Sequence, residues 1–153
     1  MMIVELIPMA MAAVLVLAMV LEIKTGRIPN WLTLLPFVLF AVLLVMAEDR
    51  TALYWQIGLA AGVFVFGIVM FAIGGSGAGA VKLMTGTALF VPLSNALYTA
   101  IVFFVIFFVS SFIFVQLRKA IGSEGSTWHL MANAVLPLSF SIGCAGLVGM
   151  FLL

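Results

Sequence analysis

Apolar residues run almost without interruption along this chain, in five stretches: Ile3 to Leu21, Trp31 to Ala47, Leu53 to Ile73, Leu83 to Leu117 and Leu130 to Leu153. Runs of about 18 or more apolar residues predict membrane-spanning α-helices, whereas barrel strands would alternate apolar and polar residues over about 10 positions. The fourth stretch is 35 residues long, too long for one helix across a ~30 Å hydrocarbon core, which takes about 20. Pro92-Leu93-Ser94-Asn95 lies inside it. Proline removes a backbone donor and clashes with the preceding turn, and Ser-Asn beside it is turn chemistry. The stretch therefore divides, giving an all-α integral membrane protein: a six-helix transmembrane bundle with a short fourth helix. The expected spans are 3–21, 31–47, 53–73, 81–91, 96–117 and 130–153, in a single polytopic domain over 1–153.

The polar positions between these stretches test the division. The six cationic residues are Lys24, Arg27, Arg50, Lys82, Arg118 and Lys119. Six helices put all but Arg50 on one face; fusing the fourth and fifth helices would leave three on each. The bias of Lys and Arg toward the cytoplasm favours the first arrangement. It predicts a bacterial inner-membrane protein with segments 22–30 and 75–82 on the cytoplasmic side and both termini on the other. The first stretch has the hydropathy of a signal peptide. It lacks a basic leader and a small-residue cleavage site, so it reads as a retained helix.

Composition agrees. Hydrophobic residues make up 67% of the chain and charged residues 7%, against about 25% charged in soluble domains. Such a chain cannot cover its surface for water, and the lipid bilayer is its expected partner. A net charge of +1 offers no basic patch for nucleic acid. The one cysteine, Cys144, excludes an internal disulfide and a Cys-x-x-Cys metal site; it reads as a small buried hydrophobe. His129 and Trp128 read as interface residues. No metal or cofactor is expected.

Two polar segments could carry chemistry. The first is Glu22-Ile23-Lys24-Thr25-Gly26-Arg27-Ile28-Pro29-Asn30. From position alone, Glu22 reads as an interfacial glutamate facing water or head groups, paired with Lys24 or Arg27. Gly26 and Pro29 make a turn, Pro29 or Asn30 starts the next helix, and Trp31 anchors at the interface. The second is the glycine-rich break Gly74-Gly75-Ser76-Gly77-Ala78-Gly79-Ala80-Val81-Lys82. Alone it reads as small-residue helix packing, with Lys82 as a cytoplasmic anchor.

Together the two segments resemble the paired signatures of the type IV prepilin peptidases, membrane aspartic proteases with one catalytic aspartate in each signature. In the first signature an aspartate stands six residues before Ile-Pro-Asn, and Glu22 occupies that place. Gly77-Ala78-Gly79-Ala80-Val81-Lys82 resembles the second signature, Gly-x-Gly-Asp-x-Lys, with Ala80 where aspartate belongs. The resemblance covers essentially the whole chain. It implies that Glu22 and Ala80 hold the catalytic positions, and that Arg27, Pro29, Asn30, Gly77, Gly79 and Lys82 shape the site. Lacking the cysteine-bearing methyltransferase domain of the long family members, the chain resembles the short form that serves Flp/Tad-type pili. The implied partner is the leader and N-terminal helix of a prepilin, cut at the cytoplasmic membrane face.

Amide hydrolysis by such a pair needs one ionised carboxylate to activate water and one protonated carboxyl to assist the leaving amine. Glu22 keeps a carboxyl but moves it by one methylene, and displacements of about 1 Å can cost 10²-fold in rate. Ala80 has no titratable group. Glu5, Glu48 and Asp49 fall on the far face, and Glu124 falls in a loop. The chain as written is expected to be inactive. Either Ala80 is an engineered replacement of a natural aspartate, toward which the intact flanking residues lean, or the chain is a non-catalytic paralogue that binds prepilin or scaffolds the secretion machinery. A small transporter subunit, with the glycine break as a broken helix, is disfavoured by the absence of mid-helix charges and internal repeats.

Overall fold

A computed structural model describes residues 2–74, 76–121 and 138–152. Among these the chain is entirely helical: α1 (Met2–Thr25), α2 (Asn30–Met46), α3 (Thr51–Ala72), α4 (Ala78–Ala88), a short 3-10 turn (Leu93–Asn95), α5 (Ala96–Ile121) and α6 (Leu138–Phe151). The segments Leu6–Thr25, Thr51–Ala72 and Leu93–Leu117 are long and apolar enough to cross a membrane. Apolar α2 and α6 are shorter, at 17 and 14 residues. Residues 130–137 of the expected last span, with Glu124, Trp128 and His129, lie outside the described residues.

Helix α1 does not end where its apolar run ends. It continues four residues past Leu21 and carries Glu22 and Lys24 on helix. The helix stops at Gly26, whose φ of +67° is the left-handed conformation that glycine adopts without strain. The Gly26 N–H donates to the Glu22 carbonyl at 2.8 Å, and Thr25 Oγ1 sits 2.7 Å from the Leu21 carbonyl oxygen. Pro29 then caps α2 in extended geometry (φ −61°, ψ 141°), so α2 starts at Asn30 as its sequence suggests. Helix α4 is shifted from the expected 81–91 to 78–88. It therefore takes in Gly79 and Ala80, and the turn to α5 begins before Pro92.

Close contacts fix the helix directions. Glu22 meets Ser139, a Cβ built on Gly143 would meet Met19, and one on Gly146 would meet Leu15; α1 and α6 are antiparallel. Asn95 Nδ2 donates to the Gly149 carbonyl at 3.2 Å, and the Ser110 and Ser141 hydroxyls lie 3.3 Å apart; α5 and α6 are antiparallel too. On α4, Lys82 meets Asn30 and Gly86 meets Pro36 of α2, so these two run parallel. Ala80 shares a cavity with Leu138 while a Cβ on Gly146 would meet Thr87, so α4 also runs parallel to α6. Lys24, Arg27, Lys82 and the last turn of α5 with Lys119 thus gather at one end of the bundle. Arg50, between α2 and α3, lies at the other.

The core sits around α4. Seven of its 11 residues are buried, against α3 on one side and α2 and α6 on the others. Its buried threonines satisfy themselves within the helix: Thr85 Oγ1 donates to the Val81 carbonyl and Thr87 Oγ1 to the Leu83 carbonyl. The outer faces of α3 and α5 are rich in exposed large apolar side chains, among them Phe64, Val65, Phe108 and Phe112. That is the surface of a protein solvated by lipid.

Candidate active site

The two signature segments meet at the end of the bundle where α1 finishes and α4 starts. Lys82 Nζ donates to Asn30 Oδ1 at 3.2 Å, across 52 residues of sequence. Beside this bond, Gly79 faces Ile28: a Cβ built there would stand 3.3 Å from both Ile28 Cβ and the Ile28 carbonyl oxygen. A side chain at position 79 would push the first segment away, which gives this signature glycine a packing reason. Gly77 precedes α4 as its cap in extended backbone (φ −85°, ψ 152°), with nothing within 4 Å of a built Cβ. Nothing in the structure requires glycine there. Arg27 is exposed, and its carbonyl oxygen lies 3.0 Å from Thr25 Oγ1.

Glu22 is not the water-facing residue that its position in the sequence suggests. It is 7% exposed, and its Oε2 accepts a hydrogen bond from the Ser139 backbone N–H at 2.7 Å and another from the Ser139 hydroxyl. The last turn of α1 is covered by the start of α6, so a carboxyl at this register points into protein. Lys24 on the neighbouring face is exposed. Among the described residues, Glu22 is the one buried acid.

Ala80 is 6% exposed and lines a cavity of about 100 Å³ with Ser76, Val81, Met84, Leu138, Ile142 and a wall of phenylalanines. Among the described residues, the buried Ser76 Oγ in this wall has no hydrogen-bond partner. Leu138 borders the cavity and Ser139, next in sequence, holds Glu22, so the start of α6 touches the surroundings of both signature positions. Glu48 and Asp49 lie at the opposite end of the bundle. Among the described residues no three His, Cys, Asp or Glu side chains gather as a metal would require. Cys144 is half-buried rather than fully enclosed.

Ser139 was not legible as part of this site. The available signal was weak: Ser139 and Ser141 are polar residues two apart in an apolar run, a pattern that also fits plain helix packing. Ile28, in the turn between Gly26 and Pro29, is the surface on which α4 seats at Gly79.

The fold and these segments define a polytopic α-helical membrane protein whose two polar signatures converge at one end. The type IV leader peptidase family model matches residues 9–117, and the chain belongs to that family, one of aspartic-type peptidases. No curated protein and no solved structure matches the chain.

Proposed function

We propose that this chain is a prepilin leader peptidase with an incomplete acid pair: a site built to cut the leader of type IV or Flp-type pilin precursors, inactive because position 80 carries a methyl group. The observation that carries the reading is the Lys82–Asn30 bond, which ties the second signature to the first. A merely packed glycine break would need no such tie. The gathering of Lys24, Arg27, Lys82 and Lys119 at one end supports six spans with this end at the cytoplasmic face of a bacterial inner membrane.

Ala80 is where hydrolysis stops. One carboxyl cannot be both the base that takes a proton from water and the acid that protonates the leaving amine in the same step. Glu22 alone supplies one of the two.

Replacing Ala80 by Asp is the test. The full chain carrying Ala80→Asp, in lipid nanodiscs, should cleave a Flp-type prepilin on the carboxyl side of its leader glycine. Adding Glu22→Gln should abolish that cleavage. If the Ala80→Asp chain folds, binds prepilin and leaves it uncut, the peptidase reading fails. A second reading then stands, a pseudopeptidase that binds prepilin or scaffolds the pilus machinery. One observation favours it: one oxygen of Glu22, Oε2, is already held by Ser139.

A further inference from the structure

Ser139 lies outside both signatures, fully buried at the second residue of α6. Its backbone N–H and its hydroxyl both donate to one oxygen of Glu22, 117 residues away in sequence. The Ser139 hydroxyl has the Ala18 carbonyl oxygen as a second, longer contact at 3.4 Å, so its described partners both lie on α1.

We propose that Ser139 is the positioning residue for Glu22, and that its grip is what calls for a glutamate rather than an aspartate at position 22. The argument is one of reach. Removing one methylene withdraws the carboxyl by roughly one C–C bond, about 1.5 Å. A 2.7 Å bond would then open to about 4 Å, beyond hydrogen-bonding range. The helices cannot close that gap. Below the bond, a Cβ on Gly143 would already fall 2.7 Å from Met19 Sδ, and one on Gly146 would fall 3.1 Å from Leu15 Cδ1. With Met19 and Leu15 already seated on the two glycines, α6 has no free space there into which to shift toward α1. An aspartate at position 22 would therefore leave the buried Ser139 N–H without its acceptor and its hydroxyl with only the longer Ala18 contact, and a buried donor left unpaired costs more than its bond is worth when formed. The departure from the family's aspartate and the serine on α6 explain each other. The proposal rests on the functional reading above only for what the held carboxylate would do, not for its being held.

Infrared difference spectroscopy on the full chain in lipid nanodiscs reads the grip directly. Bands of the position-22 carboxyl are assigned by subtracting the Glu22→Gln spectrum. Ser139→Ala should shift those bands, since a donor to the carboxylate is lost. In thermal unfolding, Ser139→Ala should lower the midpoint in the Glu22 chain and not lower it in a Glu22→Asp chain, which has no such bond to lose and is relieved of a poorly paired hydroxyl. Bands that stay in place, or an equal drop in both backgrounds, would overturn the proposal. In the Ala80→Asp background, Ser139→Ala should lower kcat on the order of 10²-fold with KM unchanged; an unchanged kcat there also overturns it. If Ala80→Asp cuts nothing while the bands shift as expected, the peptidase reading falls and the role of Ser139 stands.

Discussion

Gly86 marks the point where α4 crosses α2, and adding one carbon atom there should loosen the bundle. A Cβ at position 86 would fall 2.6 Å from Pro36 Cβ and 3.1 Å from Pro36 Cγ. Pro36 is fully buried and its ring cannot swing aside, so the two helix backbones must separate. Alanine in place of glycine gains about 0.8–1 kcal/mol of helix propensity. Overpacking a tight contact costs about 1–3 kcal/mol, and a rigid ring with no rotamer to yield belongs in the upper half of that range. The net effect of Gly86→Ala is a loss of about 1–2 kcal/mol. Gly62 in α3 supplies the control, because a Cβ there meets nothing within 4 Å. Gly62→Ala keeps only the propensity gain, up to about 1 kcal/mol. The same chemical change thus acts with opposite sign at two helical positions. At about 2–4 °C per kcal/mol for a chain of this size, the unfolding midpoints of the two variants should differ by roughly 4–12 °C. Thermal unfolding in one detergent, followed by circular dichroism, measures this. A Gly86→Ala chain as stable as the unmodified one would refute the crossing at Pro36, and with it the seating of α4 against the first signature.

Two further outcomes follow from the loops. The Thr51 backbone N–H and hydroxyl beside Asp49 hold its carboxyl below the usual carboxylate range. A lowered native pKa stabilises the fold above the unfolded value and is lost as pH falls through the native one. Protection factors of the first amides of α3 should therefore fall as the pH drops below the carboxylate range, and Asp49→Asn should abolish that dependence; equal behaviour of the two chains would refute the Asp49 cap. In a Cys144→Ser background, cysteines at positions 25 and 49 sit at opposite ends of α2, about 25 Å apart for 17 residues at 1.5 Å each. A membrane-impermeant reagent added from outside should label position 49 and not position 25, and the reverse pattern would overturn the assigned sidedness.

The division at Pro92 could be read from sequence because a span limit and a helix breaker acted at the same place. The end of α1 was misplaced because hydropathy reports where a side chain prefers to be, while the helix ends for a backbone reason at Gly26. The shift of α4 has a similar origin: Ala78, Gly79 and Ala80 carry no polar cap that would announce a start. Lys82 and Asn30 were visible in the sequence because the resemblance to the two family signatures includes them both. The hold of Ser139 on Glu22 was invisible, since a pairing across 117 residues leaves no local pattern. Burial of Glu22 followed from it and was missed for the same reason.

The burial of position 80 gives its alanine a direction of travel. An acid enclosed by apolar side chains must be kept against the loss of its hydration, and a working site bears that strain for the sake of its chemistry. Alanine carries no such strain. Whatever placed it there, the step from aspartate to alanine runs downhill in stability and the step back runs uphill. Under the proposed reading, loss of a second acid at position 80 would act as a ratchet: a chain relieved of cutting would fold more securely, and a return to catalysis would have to begin by weakening the bundle that performs it.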